Sequence, residues 1–166
     1  IEWLSDNTDS FIYSKIIEEK TLLSSDGKNT YGNLVGVDAN FRNVIEIDSV
    51  LSVGRWINED SSEIVVSYFM ADKLNLGLFN YGGELSVSVP NKKNTSVLVK
   101  KPFRSLGFAP YGVYSSSNEK DQRNVFSSLG SAQSLLNKGA QEISAILIKP
   151  LKNPDVLMQK LKKVFN

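Results

Sequence analysis

Apolar positions divide the chain into short blocks whose spacing changes from one to the next. Residues Phe11 to Ser24 are rich in β-branched and aromatic types and reach a turn signal at Asp26-Gly27. A second strand-like run follows from Tyr31 to Asp38, so the spacing predicts a β-hairpin. From Asn40 to Ile57 the apolar residues Val44, Ile45, Ile47, Val50, Leu51 and Val53 fit neither a period of two nor one of 3.6. Glu63 to Val66 then reads as a short strand, and Phe69, Met70, Lys73 and Leu74 continue at helical spacing before Gly77.

The same logic recurs further on. Leu85, Val87 and Val89 alternate with Ser86 and Ser88, the signature of a half-buried strand, which Pro90 ends. The stretch Val97 to Tyr114 predicts another strand, broken or bent around Pro102, Gly107 and Pro110. Asn124 to Phe126 predicts a short strand, and Leu129, Ala132, Leu135 and Leu136 form one face of a helix. Gly139 stands just past that helix as its expected left-handed cap. Ile143 to Ile148 is a further strand. Asn153-Pro154-Asp155 opens a last helix with a capping side chain, a proline at the first helical position and an acid at the positive end. Leu157, Leu161, Val164 and Phe165 supply its apolar stripe.

Strand-helix units separated by hairpins predict an α+β architecture with a mixed sheet. No tandem repeat at a fixed period and no low-complexity linker is visible. With 166 residues, the chain has the size of one domain or of two small interlocked ones, and it buries about two-thirds of its unfolded surface.

Composition narrows the chemistry. Neither cysteine nor histidine occurs, which removes disulfides, the usual zinc, copper and non-haem iron ligand sets, and the Ser-His-Asp and Cys-His nucleophile systems. The net charge of +1 gives no field to steer the domain onto nucleic acid or an anionic bilayer. The apolar run Ala145 to Ile148 is far short of the ~20 residues that cross a bilayer as a helix. Beginning at Ile1 without a signal-peptide pattern, the chain reads as a processed or excised piece.

Candidate chemistry is sparse. No Walker-type loop appears, and Gly82-Gly83 reads as the turn before the Leu85 strand. Glu18 and Glu19 point to opposite faces of one strand, while Glu59, Asp60 and Glu63 read as a solvated polar connection lacking the pattern of a calcium loop. A Ser-Lys dyad stays open, with no serine singled out. The segment from Pro90 to Arg104 carries Lys92, Lys93, Lys100, Lys101 and Arg104 and no acid. It reads either as a hairpin kept soluble by its lysines or as a protruding loop that meets a partner. Aromatic residues are too few there for a nucleic-acid stacking platform.

The order of these motifs resembles the extracytoplasmic core of MacB/FtsX-like ABC-transporter permeases. Leu34-Val35-Gly36-Val37-Asp38 with Gly54-Arg55-Trp56 is similar to one family segment. Glu63 to Val66 through Ala71 to Leu76, followed by Leu85 to Pro90, is similar to the next. Phe103 to Gly107, Gly112 to Tyr114, Asp121, Val125-Phe126 and Ala132 to Leu136 are similar to the last. The resemblance runs from about Ser10 to Phe165, nearest the lipoprotein-releasing branch. It departs where Gly77 is followed by Leu78-Phe79-Asn80 instead of the family's aspartate.

The resemblance implies a membrane-proximal porter-like part, 1–30 with 141–166 and shortened at its start, and a distal sabre-like insert, 31–140. It implies a non-catalytic domain without a cofactor, on the periplasmic side of the bacterial inner membrane, joined to it by flanking helices. ATP is then used by a separate cytoplasmic ATPase subunit. The partners implied are a second permease subunit and, in the lipoprotein-releasing branch, a periplasmic lipoprotein carrier, with no nucleic acid. The family's carrier-recruiting hook corresponds to Pro90 through Phe103, which makes Pro90, Lys92, Lys93, Lys100, Lys101, Phe103 and Arg104 the candidate partner-binding residues, although the hook's proline-glycine tip is missing. The alternative reading is a secreted binding module for glycan or peptide.

Overall fold

The computed structural model describes residues 9–59, 61–78, 83–91 and 102–165. In chain order the strands are β1 (Phe11–Ser25), β2 (Lys28–Val37), β3 (Leu51–Gly54), β4 (Glu63–Ser67), β5 (Leu85–Pro90), β6 (Phe103–Tyr114), β7 (Asn124–Ser128) and β8 (Ala145–Pro150). The helices are α1 (Phe41–Ile45), α2 (Tyr68–Leu74), α3 (Leu129–Leu136) and α4 (Pro154–Phe165), with 3-10 turns at Ile47–Ser49 and Asp121–Arg123. The α+β expectation with a mixed sheet is met. Residues 40 to 57 showed no period because they are cut into one short helix, one 3-10 turn and one short strand, each too brief for a pattern to build.

Six strands form a ring. Their order is β2-β7-β4-β6-β5-β1, and β1 also pairs with β2, so the sheet closes on itself and its members gain partners on both sides. β8 lies outside, along the first half of β1 from Phe11 opposite Pro150 to Ile16 opposite Ala145. β3 joins the far end of β6.

Two faces of the same strands are buried. Inside, Leu23, Leu34, Ile64, Val66, Val87, Phe108 and Val125 pack with Met70 and Leu74 of α2 and Ala132 and Leu135 of α3. Outside, Val35, Val37, Val65, Tyr114 and Phe126 lie beneath Phe41, Ile47 and Trp56. This double burial explains why Leu34-Val35 and Ile64-Val65-Val66 read as continuous apolar runs. A third, smaller cluster joins Phe11 of β1 to Leu157 of α4. Asn153 caps α4 as expected, its side chain accepting the Asp155 N–H at 3.0 Å. Val164, placed by sequence on that helix's apolar stripe, is instead 42% exposed.

The ring has an internal two-fold relation that the sequence does not display. Hairpin β1-β2 and the unit β4-α2 correspond to hairpin β5-β6 and the unit β7-α3. β4 and β7 cross with Val65 opposite Phe126, and β1 and β5 cross with Leu23 opposite Val87. Val37 of β2 lies beside Ser128, and Tyr114 of β6 beside Ser67. Those two serines are the helix caps: the Ser67 oxygen accepts from the Met70 N–H and the Ser128 oxygen from the Ser131 N–H. Both helices stop on an asparagine in the left-handed region, Asn75 at φ 54° and Asn137 at φ 55°.

One expectation needs correction here, and one is narrowed. The cap of α3 is Asn137, not Gly139, because the N–H groups of Asn137 and Lys138 already bond to Ser134 and Gln133. Of the break or bend expected around Pro110, β6 takes the irregularity without the break. Ile64 pairs with Pro110 and Val65 with Gly112, so Tyr111 is an extra residue in a bulge that absorbs the proline.

Polar contacts pin the connections. Asp38 accepts from the Ser14 hydroxyl at 2.7 Å and from the backbone N–H groups of Lys15 and Asn40. Glu63 opens β4 as the strand reading expected, but it is not solvated: it grips Arg55 through two bonds of 2.8 and 2.6 Å. That pair holds the Trp56 segment over the outer core, and Arg55 also lies 4.3 Å from the centre of the Tyr111 ring. The Arg55 hydrogen bonds hold the Glu63 carboxyl below its ordinary range. At Gly36, a Cβ would meet Ala132 Cβ at 2.3 Å and Ile17 Cγ2 at 2.8 Å, which lets α3 lie directly on β2.

Gly36→Ala is expected to destabilise the domain by about 1–3 kcal/mol through overpacking, read as a lower midpoint in urea. Gly139→Ala, whose Cβ would have only Glu142 Oε2 near it at 3.6 Å, should leave the midpoint unchanged. For Glu63 the folded pKa is depressed, so its stabilisation is complete above the unfolded value of about 4.3 and is lost as pH falls through the folded value. Glu63→Gln should remove about 1 kcal/mol at neutral pH, at the low end because Arg55 keeps 42% of its side chain in solvent. The same variant should flatten the acid limb of stability against pH.

Candidate functional site

Three of the residues singled out by sequence, Pro90, Phe103 and Arg104, lie at the base of the β5-β6 hairpin. Pro90 has no N–H to donate and ends β5 directly opposite Phe103, the first residue of β6. One bond beyond the ladder, the Asn91 N–H donates to the Pro102 carbonyl at 2.9 Å. Val89, Val87 and Leu85 point into the inner core and fix the hairpin's root. Pro90 is exposed and Phe103 keeps 48% of its surface in solvent. Lys92, Lys93, Lys100 and Lys101 lie outside the described residues.

Arg104 turns toward α3. Its guanidinium donates to the Ser134 carbonyl at 3.2 Å, in the last turn of the helix, where a cation meets the negative end of the helix dipole. Of the seven candidates, the structure therefore brings Pro90, Phe103 and Arg104 together at one end of the ring. An open cleft of 360 Å³ separates the hairpin base from the end of α3, bordered by Glu19, Asn91, Arg104, Asn137, Lys138 and Glu142. Its charges are mixed in sign. Lys138 pairs with Glu142 at 2.8 Å, and that hydrogen bond raises the Lys138 pKa. The second Glu142 oxygen accepts the Gly139 N–H.

Two features escaped the sequence reading. The Arg55–Glu63 clamp spans a connection whose residues look individually solvated, and no local signal marks it. Tyr114 is buried at the end of β6, and its hydroxyl bonds the carbonyls of Asp121 and Asn124. Burial pushes its pKa up. Among the described residues no cluster of carboxylates could hold a metal ion, and no helix is long and apolar enough to cross a membrane.

No protein-family model matches the chain, and no curated protein matches it. Solved structures do. The periplasmic region of MacB from Actinobacillus actinomycetemcomitans superposes with a TM-score of 0.65 at 16% identity, over 98% of this chain and 69% of that one. The extracellular domain of the noncanonical ABC-type transporter YknZ from Gram-positive bacteria superposes at 0.62 with 11% identity, over 96% of this chain and 81% of the other. The chain has the fold of the MacB periplasmic region.

Arg104→Glu should lower stability by about 1–2 kcal/mol, since it loses a charged hydrogen bond and sets an anion against the end of α3. Arg104→Lys should recover at least half of that loss in urea unfolding.

Proposed function

We propose that this chain is the extracytoplasmic domain of an ABC-transporter permease, acting as a non-catalytic relay between membrane helices and partner proteins. One observation carries the reading: nearly the whole chain superposes on transporter domains from both MacB and YknZ, with no large segment left over. The absence of histidine and cysteine from the sequence fits a domain that changes position without making bonds.

In this reading the porter-like part, 1–30 and 141–166, faces the periplasmic side of the bacterial inner membrane, and the sabre-like insert, 31–140, stands away from it. β1 lies within the porter-like part, where it pairs with β8 over Phe11–Ile16, and it reaches the insert by pairing with β5 over Leu22–Ser24. Motion of the flanking membrane helices therefore reaches the ring along one continuous strand. ATP hydrolysis takes place in a separate cytoplasmic subunit, and cargo is a lipidated or otherwise hydrophobic molecule handed over or extruded with a partner permease. The loop between Pro90 and Phe103 is the contact for that partner or for a periplasmic lipoprotein carrier. It is anchored at its root by the Asn91–Pro102 bond and by Arg104.

The test uses the full-length gene product. The protein should remain in the membrane fraction after an alkaline wash and cross-link to a second subunit. Reversing Lys92, Lys93, Lys100 and Lys101 to glutamate should weaken that cross-link severalfold without releasing the protein from the membrane. A freely soluble full-length product would overturn the whole reading, and unchanged cross-linking would remove the loop from it.

A further inference from the structure

The outer face of the ring carries a recess that the relay reading does not use. Phe41, Ile45 and Ile47 form one wall, and Val35 of β2 and Phe126 of β7 lie at its floor, enclosing a cleft of 370 Å³. Such a volume suits a small organic ligand. Ile45 keeps 46% of its surface in solvent and Val50, on the same wall, 39%. Together they give the cleft an apolar rim above a well-buried aromatic cluster.

The charges at the recess are of one sign. Glu18 projects from β1 opposite Val35, and Asp121 opens the 3-10 turn on the other side; both border the cleft. Among the described residues no lysine or arginine lines it and neither carboxylate makes an ion pair. Lys20 and Lys120 border the adjoining cleft, which Glu18 shares. An apolar recess with two carboxylates at its mouth discriminates by charge. A neutral apolar ligand gains burial alone, an anion is repelled, and a cation gains both burial and attraction.

We propose that this cleft binds a small organic cation with an apolar body, its ammonium or guanidinium head between Glu18 and Asp121 and its body against Val35, Ile45 and Phe126. Nothing in this assignment depends on where the chain sits in a transporter.

The structure supplies its own reporter. Trp56 stacks on Phe41 with ring centres 5.8 Å apart and lies tilted against Phe126 with ring centres 5.4 Å apart, and both of these rings line the cleft. The other tryptophan, Trp3, lies outside the described residues. In Trp3→Phe protein, decyltrimethylammonium titrated below its micellar range should change Trp56 emission saturably and shift the Val35 and Ile45 methyl resonances. Decyl sulfate, with the same tail, should bind about tenfold more weakly or not at all. Glu18→Gln with Asp121→Asn, both at exposed positions, should weaken the cation by about tenfold while leaving the melting temperature in place. The proposal is overturned by equal binding of the two surfactants, by unsaturable changes, or by full affinity in the double variant. It also fails if the shifted methyl resonances lie away from the cleft.

Discussion

Burial of both faces of β2, β7 and β4 is the constraint on which the structure depends. Each of these strands places apolar residues inward, against α2 and α3, and outward, beneath Phe41, Ile47 and Trp56. A strand buried on two sides cannot slip by one residue without exchanging two well-packed faces, so its register is fixed twice over. Helix α3 fits only because Gly36 presents no side chain to Ala132. The outer segment stays in place because Arg55 and Glu63 hold it at its edge. Ring closure follows from the same economy: a curled sheet covers its helices and leaves few strand edges to manage.

Much of this was legible in the sequence where local chemistry and tertiary fate agree. The Asp26-Gly27 turn, the alternation of Leu85, Val87 and Val89, and the Asn153-Pro154 helix start each carry their own signal, and each forms as expected. The structure departs where long-range partners decide. Asn137 ends α3 before Gly139 can, and Pro110 sits inside a strand because a bulge at Tyr111 accommodates it. Glu63 looked solvated because its partner Arg55 lies across a loop. The two-fold relation was invisible because backbone register conserves it while side chains do not. Glu63-Ile64-Val65-Val66-Ser67 and Asn124-Val125-Phe126-Ser127-Ser128 share little beyond the terminal serine that caps each helix.

The candidate partner loop was legible in part for a similar reason. Its root is a matter of strand pairing, and Pro90 opposite Phe103 follows from the alternation that precedes it. The turn of Arg104 toward Ser134 depends on where α3 ends, which no spacing within the loop can reveal. The recess on the outer face was not legible at all. It is assembled from β1, β2, α1, β7 and the turn at Asp121, segments more than a hundred positions apart at their extremes.

The length of β1 has a mechanical meaning. Ten residue pairs join it to β2, from Ile16 opposite Val37 to Ser25 opposite Lys28, and their hydrogen bonds run across the strand axis. Tension applied near Phe11 and directed along that axis loads these bonds together in shear, instead of peeling them apart singly as in a zipper.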